Sequence, residues 1–135
     1  MSTRFIVFIC SIFLASPSFV LAQDCPTGDI TLRSQEDVDA FINSFPNCTN
    51  ITRSLIIDED AAGTAITNLD GFININNNNG DLRIQNCQSL RFLDGLFQLE
   101  FTGLDSLVII DNPKLQQCDI NAICEAASNL SLIHI

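Results

Sequence analysis

Two hydrophobic rhythms run along this chain of 135 residues. Between Ser34 and Phe45 the apolar positions are Val38, Phe41, Ile42 and Phe45, the spacing of one helical face. Ser34 stands where an N-cap belongs, and Glu36 and Asp37 put negative charge in the first turn. Pro46 stops the pattern. The spacing predicts one amphipathic helix over 34–45, preceded by a short strand-like run from Asp29 to Leu32.

Beyond the helix the rhythm becomes alternation. Leu82-x-Ile84-x-Asn86-Cys87-x-x-Leu90 recurs 25 positions later as Leu107-x-Ile109-x-Asp111-Asn112-x-x-Leu115, with no gap. An earlier copy begins Leu55-x-Ile57 and carries about three extra residues around Ala61 to Ala65. A second landmark, Ile66-x-x-Leu69-Asp70-Gly71-Phe72, returns 24 positions on as Leu90-x-x-Leu93-Asp94-Gly95-Leu96, and Ile75 then matches Leu99. Each Leu-x-Ile segment reads as a strand with alternate residues facing inward. Stacked as a parallel ladder, these strands would build a core that no single repeat makes alone. Gly71 and Gly95 are read as turn residues chosen for conformational freedom. Cys87 and Asn112 share one repeat position, where a small or polar side chain can bond the backbone of a neighbouring repeat. Asn76 to Asn79 followed by Gly80 reads as a loop.

The ends carry different signals. Arg4, the apolar stretch Phe5 to Ala15 and the site Val20-Leu21-Ala22 make residues 1–22 a secretory signal peptide cut after Ala22. Asp24 argues against a lipid anchor on Cys25. Near the other end Asp119 is an N-cap for a second helix bearing Ile120, Ile123, Ala126 and Ala127 on one side. The last hexapeptide, Leu130 to Ile135, is what one frame of a sequencing-transposon adapter encodes. Residues 129–135 are therefore expected to be a non-native tail. The expected domains are 1–22 signal peptide, 23–53 disulfide-stapled cap with helix, 54–128 repeats, and 129–135 tail.

Secretion permits disulfides. A Cys25–Cys48 bridge would staple the first helix across the end of the domain, stabilising by roughly 3 kcal/mol through loop closure. Cys118 and Cys124 could bridge directly, or either could pair with a cysteine lost downstream. Cys87 is left free as a small buried group.

Composition narrows the function. Sixteen acidic residues face six basic ones, and losing Arg4 with the signal takes the formal charge from −10 to −11. A field of that sign repels phosphate backbones and anionic lipid, so neither nucleic acid nor membrane insertion of the mature chain is expected. The aromatics are all Phe, which speaks against sugar-stacking or base-stacking platforms. There is no CxxC, no HExxH and no phosphate-binding glycine loop, and the one histidine, His134, lies in the tail. No catalytic residue, metal site or cofactor is expected. The run Asp58-Glu59-Asp60 lacks calcium-loop spacing and reads as a solvated turn. Asp70 and Asp94 read as turn-stabilising side chains. Asn47-Cys48-Thr49 and Asn50-Ile51-Thr52 are glycosylation sequons that matter in a eukaryotic secretory pathway.

Three features resemble the receptor L-domain family. The first is Cys25-Pro-Thr-Gly-Asp-Ile-Thr-Leu with Ser34-Gln, Asp37-Val-Asp-Ala-Phe41 and Asn47-Cys48-Thr49. The second is the Leu-Asp-Gly-Leu/Phe repeat with Leu107 to Leu115. The third is Leu115-x-x-Cys118-Asp119-Ile120-x-x-Ile123-Cys124. The Asn run departs from the family's Ile-Gly-Gly, and the last repeat and closing Cys are not there. The resemblance implies a leucine-rich-repeat-like right-handed parallel β-solenoid with an N-terminal capping helix and a C-terminal helix, within a longer cell-surface polypeptide. It implies adhesion or binding, not catalysis.

The candidate binding face is therefore the outward side of the strand ladder: Ile56, Asp58, Arg83, Gln85, Val108 and Ile110. The expected partner is an unknown protein or glycan at the cell exterior. A structural spacer within a larger surface protein is the alternative reading. A polysaccharide-acting enzyme is the third, disfavoured because Arg83 has no acidic neighbour at matching positions except Asp58.

Overall fold

The computed structural model describes residues 24–100 and 102–116. The chain opens with β1 (Ile30–Leu32), then α1 (Gln35–Ser44), β2 (Asn50–Ile51), β3 (Leu55–Asp58), β4 (Asn77–Asn78), β5 (Asp81–Gln85) and β6 (Ser106–Ile110). Two short 3₁₀ turns, Asp70–Phe72 and Asp94–Leu96, lie between strands. One sheet has the order β1-β3-β5-β6, all parallel, and a second pairs β2 with β4.

The repeat is realised residue for residue in the larger sheet, at an offset of 25 between β5 and β6 and of 27 between β3 and β5. Leu55 pairs with Leu82 and Leu82 with Leu107, while Ile57 pairs with Ile84 and Ile84 with Ile109. Ile30 and Leu32 extend the two columns into β1. All eight side chains are buried. β-Branched and leucine side chains at every second position are what a one-face-buried strand requires. Shifting any strand by one residue would turn its aliphatics to water and its polar set inward, so the register is strongly specified.

α1 forms as its pattern predicts. The Ser34 hydroxyl accepts the Asp37 amide at 3.2 Å, and the Asp37 carboxylate accepts the Arg33 amide at 2.8 Å, which ties the entry of the helix from both sides. Val38 and Phe41 are buried, and the Phe41 ring stacks on Phe72 with centroids 4.9 Å apart. The Cys25–Cys48 disulfide is formed, with Cα atoms 4.5 Å apart. It joins the segment before β1 to the segment after α1.

A closed solenoid does not result. The described residues make a small mixed α/β fold with two short parallel sheets and one helix. The second ladder is two residues long, extended by the single bridge Asn77 to Glu100. Elsewhere the backbone bonds through 3₁₀ turns and side chains in place of strands. Phe72 donates to the Leu69 carbonyl and Leu96 to the Leu93 carbonyl. The extra residues after β3 fold as a turn against the start of α1, where Gln35 donates to Thr64 O. The expected leucine-rich-repeat-like right-handed parallel β-solenoid is thus corrected: among the described residues one sheet has four strands and the other two, and beyond α1 the stretches between strands are 3₁₀ turns and irregular backbone. The expected C-terminal helix with its Asp119 N-cap, the Cys118–Cys124 pair, the signal peptide and the terminal tail lie outside the described residues.

Two sequence readings change in detail. Gly71 and Gly95 do not need glycine's backbone freedom, since no described glycine has positive φ. They are small because neighbours crowd them. A Cβ on Gly95 would stand 1.7 Å from the Leu69 carbonyl oxygen, and one on Gly71 would meet the Ile42 side chain at 2.5 Å. The Asn run is not a featureless loop. Asn78 is fully buried in β4, its amide donating to Asp81 O at 3.1 Å and its Oδ1 accepting from the Gly80 amide at 3.4 Å.

Candidate functional site

The alternation that buries Leu and Ile places the other residues of each strand outward. Thr31, Ile56, Arg83 and Val108 form one row across β1, β3, β5 and β6. Asp58, Gln85 and Ile110 form the next row, and Asp81 with Ser106 the one before. The six candidate residues therefore do come together on one surface. At about 4.8 Å between strands and 3.3 Å per residue, it is roughly 15 Å on a side.

The surface has few polar groups that are not already engaged. Arg83 lies 3.7 Å from Asp81 in an exposed ion pair. The Ser106 hydroxyl donates to Asp81 Oδ1 at 2.6 Å, and Asn86 Nδ2 donates to Asp58 Oδ1 at 2.7 Å. Ile56 and Val108 are half-buried, and Ile110 is exposed at 36%. The face thus offers aliphatic surface around one guanidinium, with Gln85 beside it.

The run Asp58-Glu59-Asp60 is not simply solvated. Glu59 accepts the Ile66 amide at 2.8 Å and the Gln88 amide at 3.4 Å, joining two repeats. Asp60 accepts the Ala62 amide at 3.1 Å inside its own turn. Three adjacent carboxylates therefore serve four separate backbone or amide donors and do not converge. Asp70 and Asp94 open the 3₁₀ turns, yet no side-chain cap bond closes either turn. Asn68 Oδ1 accepts the Asp70 amide instead, at 3.2 Å.

Asn112 also links neighbouring repeats. Its Nδ2 donates to Ile84 O at 2.9 Å and its Oδ1 accepts the Cys87 amide at 3.0 Å, so one side chain satisfies both ends of the bend after β5. Cys87 is free and buried, with its thiol donating to Gln85 O at 3.3 Å. Burial, with the carboxylates of Glu59 and Asp58 nearby, pushes that thiol up to about 12 from an ordinary 9.0. A thiol held neutral is a poor nucleophile.

The sequence reading missed the largest exposed apolar side chains. Phe97 is 73% exposed, Ile73 50% and Phe92 44%. The signal was present: Ile73 and Phe97 follow the Asp-Gly-Phe/Leu landmark at the same offset of 24.

Among the described residues no group of three or more His, Cys, Asp or Glu is placed to hold a metal ion. No helix among them is long and apolar enough to cross a membrane. Comparison with family models, with characterised proteins and with solved structures finds no match to this chain.

Proposed function

We propose that this chain is a secreted or cell-surface binding module without catalytic chemistry, presenting the outward face of its larger sheet to an extracellular protein or glycan. The observation that carries the reading is the row Ile56, Arg83 and Val108 beside Ile110, aliphatic groups around one cation on a register-locked ladder. A rigid strand platform holds such groups at fixed spacing, so little side-chain order is lost on binding. The sequence resemblance to receptor L-domains points the same way. The patch is small, roughly 200 Å² at ladder spacings, against about 800 Å² per partner in a stable protein interface. It suits a short glycan or one part of a larger contact.

The test has two steps. N-terminal sequencing of the secreted chain should read Gln-Asp-Cys from Gln23; retention of the whole chain inside the cell would remove the secretory premise. A glycan array and an array of extracellular proteins, probed with wild type and with an Arg83→Glu, Val108→Asp, Ile110→Asp variant, should give hits that the variant loses. Blank arrays, or hits that survive the variant, would leave the spacer reading in place.

A further inference from the structure

The most exposed apolar side chains lie on the turn side, away from the strand rows. Ile73 and Phe97 close the two 3₁₀ turns in equivalent αR positions. A 3₁₀ turn has three residues per turn, so side chains at i and i+3 eclipse. Asp70 therefore stands beside Ile73, and Asp94 beside Phe97. The intervening Phe72 and Leu96 are fully buried. The second turn sits directly on the first, since the Cα of Gly95 approaches the Leu69 carbonyl with no room for a Cβ. The result is a doubled unit, an exposed aliphatic or aromatic group with an exposed carboxylate beside it.

The helix extends this surface. α1 packs against the first turn through Ile42 and Val38 at Gly71 and through Phe41 on Phe72. Its exposed residues include Glu36 and Asp39, and its last turn has no basic residue. Arg91, in the segment leading to the second turn, is the one cation in that stretch. An apolar ridge edged with carboxylates fits a partner with apolar residues on one stripe and cations flanking it. It repels phosphate-bearing partners and anionic lipid surfaces.

We propose that the side formed by α1 and the two 3₁₀ turns docks a cationic amphipathic helix. The partner's apolar stripe, at i, i+3/i+4 and i+7, lies over Ile73 and Phe97, and its Lys or Arg residues face Asp39, Asp70 and Asp94. This surface is separate from the sheet face and goes beyond it.

The experiment uses the purified full chain and three labelled peptides of 18 residues: Leu and Lys in amphipathic order, the same residues scrambled, and the amphipathic order with Glu for Lys. Anisotropy should show the first binding about tenfold or more tighter than either control, about 1.4 kcal/mol of discrimination. Phe97→Ser should remove that preference, with a smaller loss from Ile73→Ser. Asp70→Asn with Asp94→Asn should flatten the salt dependence. These are surface positions, and circular dichroism of each variant reports that the fold is kept. Equal binding of the scrambled peptide, or an undiminished preference in Phe97→Ser, overturns the proposal. So does sedimentation showing a wild-type dimer that Phe97→Ser makes monomeric, which assigns the ridge to a second copy. None of these variants touches the sheet face, so failure here is distinct from failure of the array test.

Discussion

The two sides of this molecule are held together by different physics. On the sheet side, eight aliphatic side chains fill two columns, and the backbone between strands is bonded residue to residue. On the turn side, short 3₁₀ segments stack through close backbone approach, and the side chains between them carry part of the hydrogen bonding. The sheet side is a redundant structure, where neighbours share the burial of any one side chain. The turn side depends on single atoms that have no room to move. The same kind of substitution should therefore cost unequal amounts on the two sides.

Adding one methyl group breaks that comparison most sharply. Gly95→Ala would put a Cβ 1.7 Å from the Leu69 carbonyl oxygen and 2.2 Å from its carbon, both backbone atoms. The two turns must separate, and the loss should exceed about 4 kcal/mol, enough to unfold a marginal domain. Gly71→Ala meets the end of the Ile42 side chain, which can rotate, and should cost about 1 to 2 kcal/mol. Urea denaturation of both variants checks the order; equal losses would mean that the turn side yields more easily than its geometry implies.

Removing atoms from the sheet side comes next. Leu82 is fully buried between Leu55 and Leu107, so Leu82→Ala leaves a cavity in the middle of a column and should cost about 3 kcal/mol. Thr31→Ala, exposed on the edge strand, should change stability by less than about 0.5 kcal/mol. Asn112→Ala tests the seam between the two sides. It strands the Ile84 carbonyl and the Cys87 amide, and should cost about 2 kcal/mol in the same denaturation experiment.

Those rankings match what the sequence made legible. The strand columns follow from a 25-residue offset combined with a period of two, both visible in the order of Leu and Ile. The helix start follows from Ser34 and two acidic residues. The disulfide follows from two cysteines flanking one helix. What stayed hidden were effects of approach and of individual hydrogen bonds. Nothing in the letters around Gly95 says that a carbonyl presses on it. The four asparagines look alike, yet Asn78 is buried in a ladder while Asn76 and Asn79 are exposed. Periodicity also overreached. A repeat of fixed length suggested a closed solenoid, whereas among the described residues only one side of each repeat builds a ladder of more than two strands. The outward face was legible because it is the complement of the buried columns. Ile73 and Phe97 share a repeat position too, yet an apolar residue beside a core motif reads as more core, so their exposure did not show.

Cys87 sharpens the comparison through pH. Its folded value of about 12 lies above the ordinary 9.0. The folded chain keeps the proton where the unfolded chain releases it. Stability is thus unaffected by this group below pH 9 and falls as pH rises from about 9 to 12, by up to about 1.4 kcal/mol per pH unit. Cys87→Ala should flatten that alkaline slope. Native protein should react with a thiol reagent only as fast as it opens.

The smallest effects concern the bends after β5 and β6, where Asn86 and Asp111 hold φ of 59° and 55°. Both sit at one repeat position, and both pay the steric cost of a left-handed conformation that glycine avoids. Asp111→Gly should stabilise by up to about 0.5 kcal/mol, once the greater freedom of glycine in the unfolded chain is subtracted. Asn86→Gly relieves the same strain but removes the 2.7 Å bond from Asn86 Nδ2 to Asp58 Oδ1, so its net change should be close to zero or slightly unfavourable. A difference of a few tenths of a kcal/mol between two chemically similar substitutions is measurable from denaturation midpoints at constant m. If Asn86→Gly were the more stabilising of the two, the bond to Asp58 would contribute nothing. Asp58 would then stand free on the sheet face, and the polar half of the proposed binding surface would be more open than its hydrogen bonds suggest.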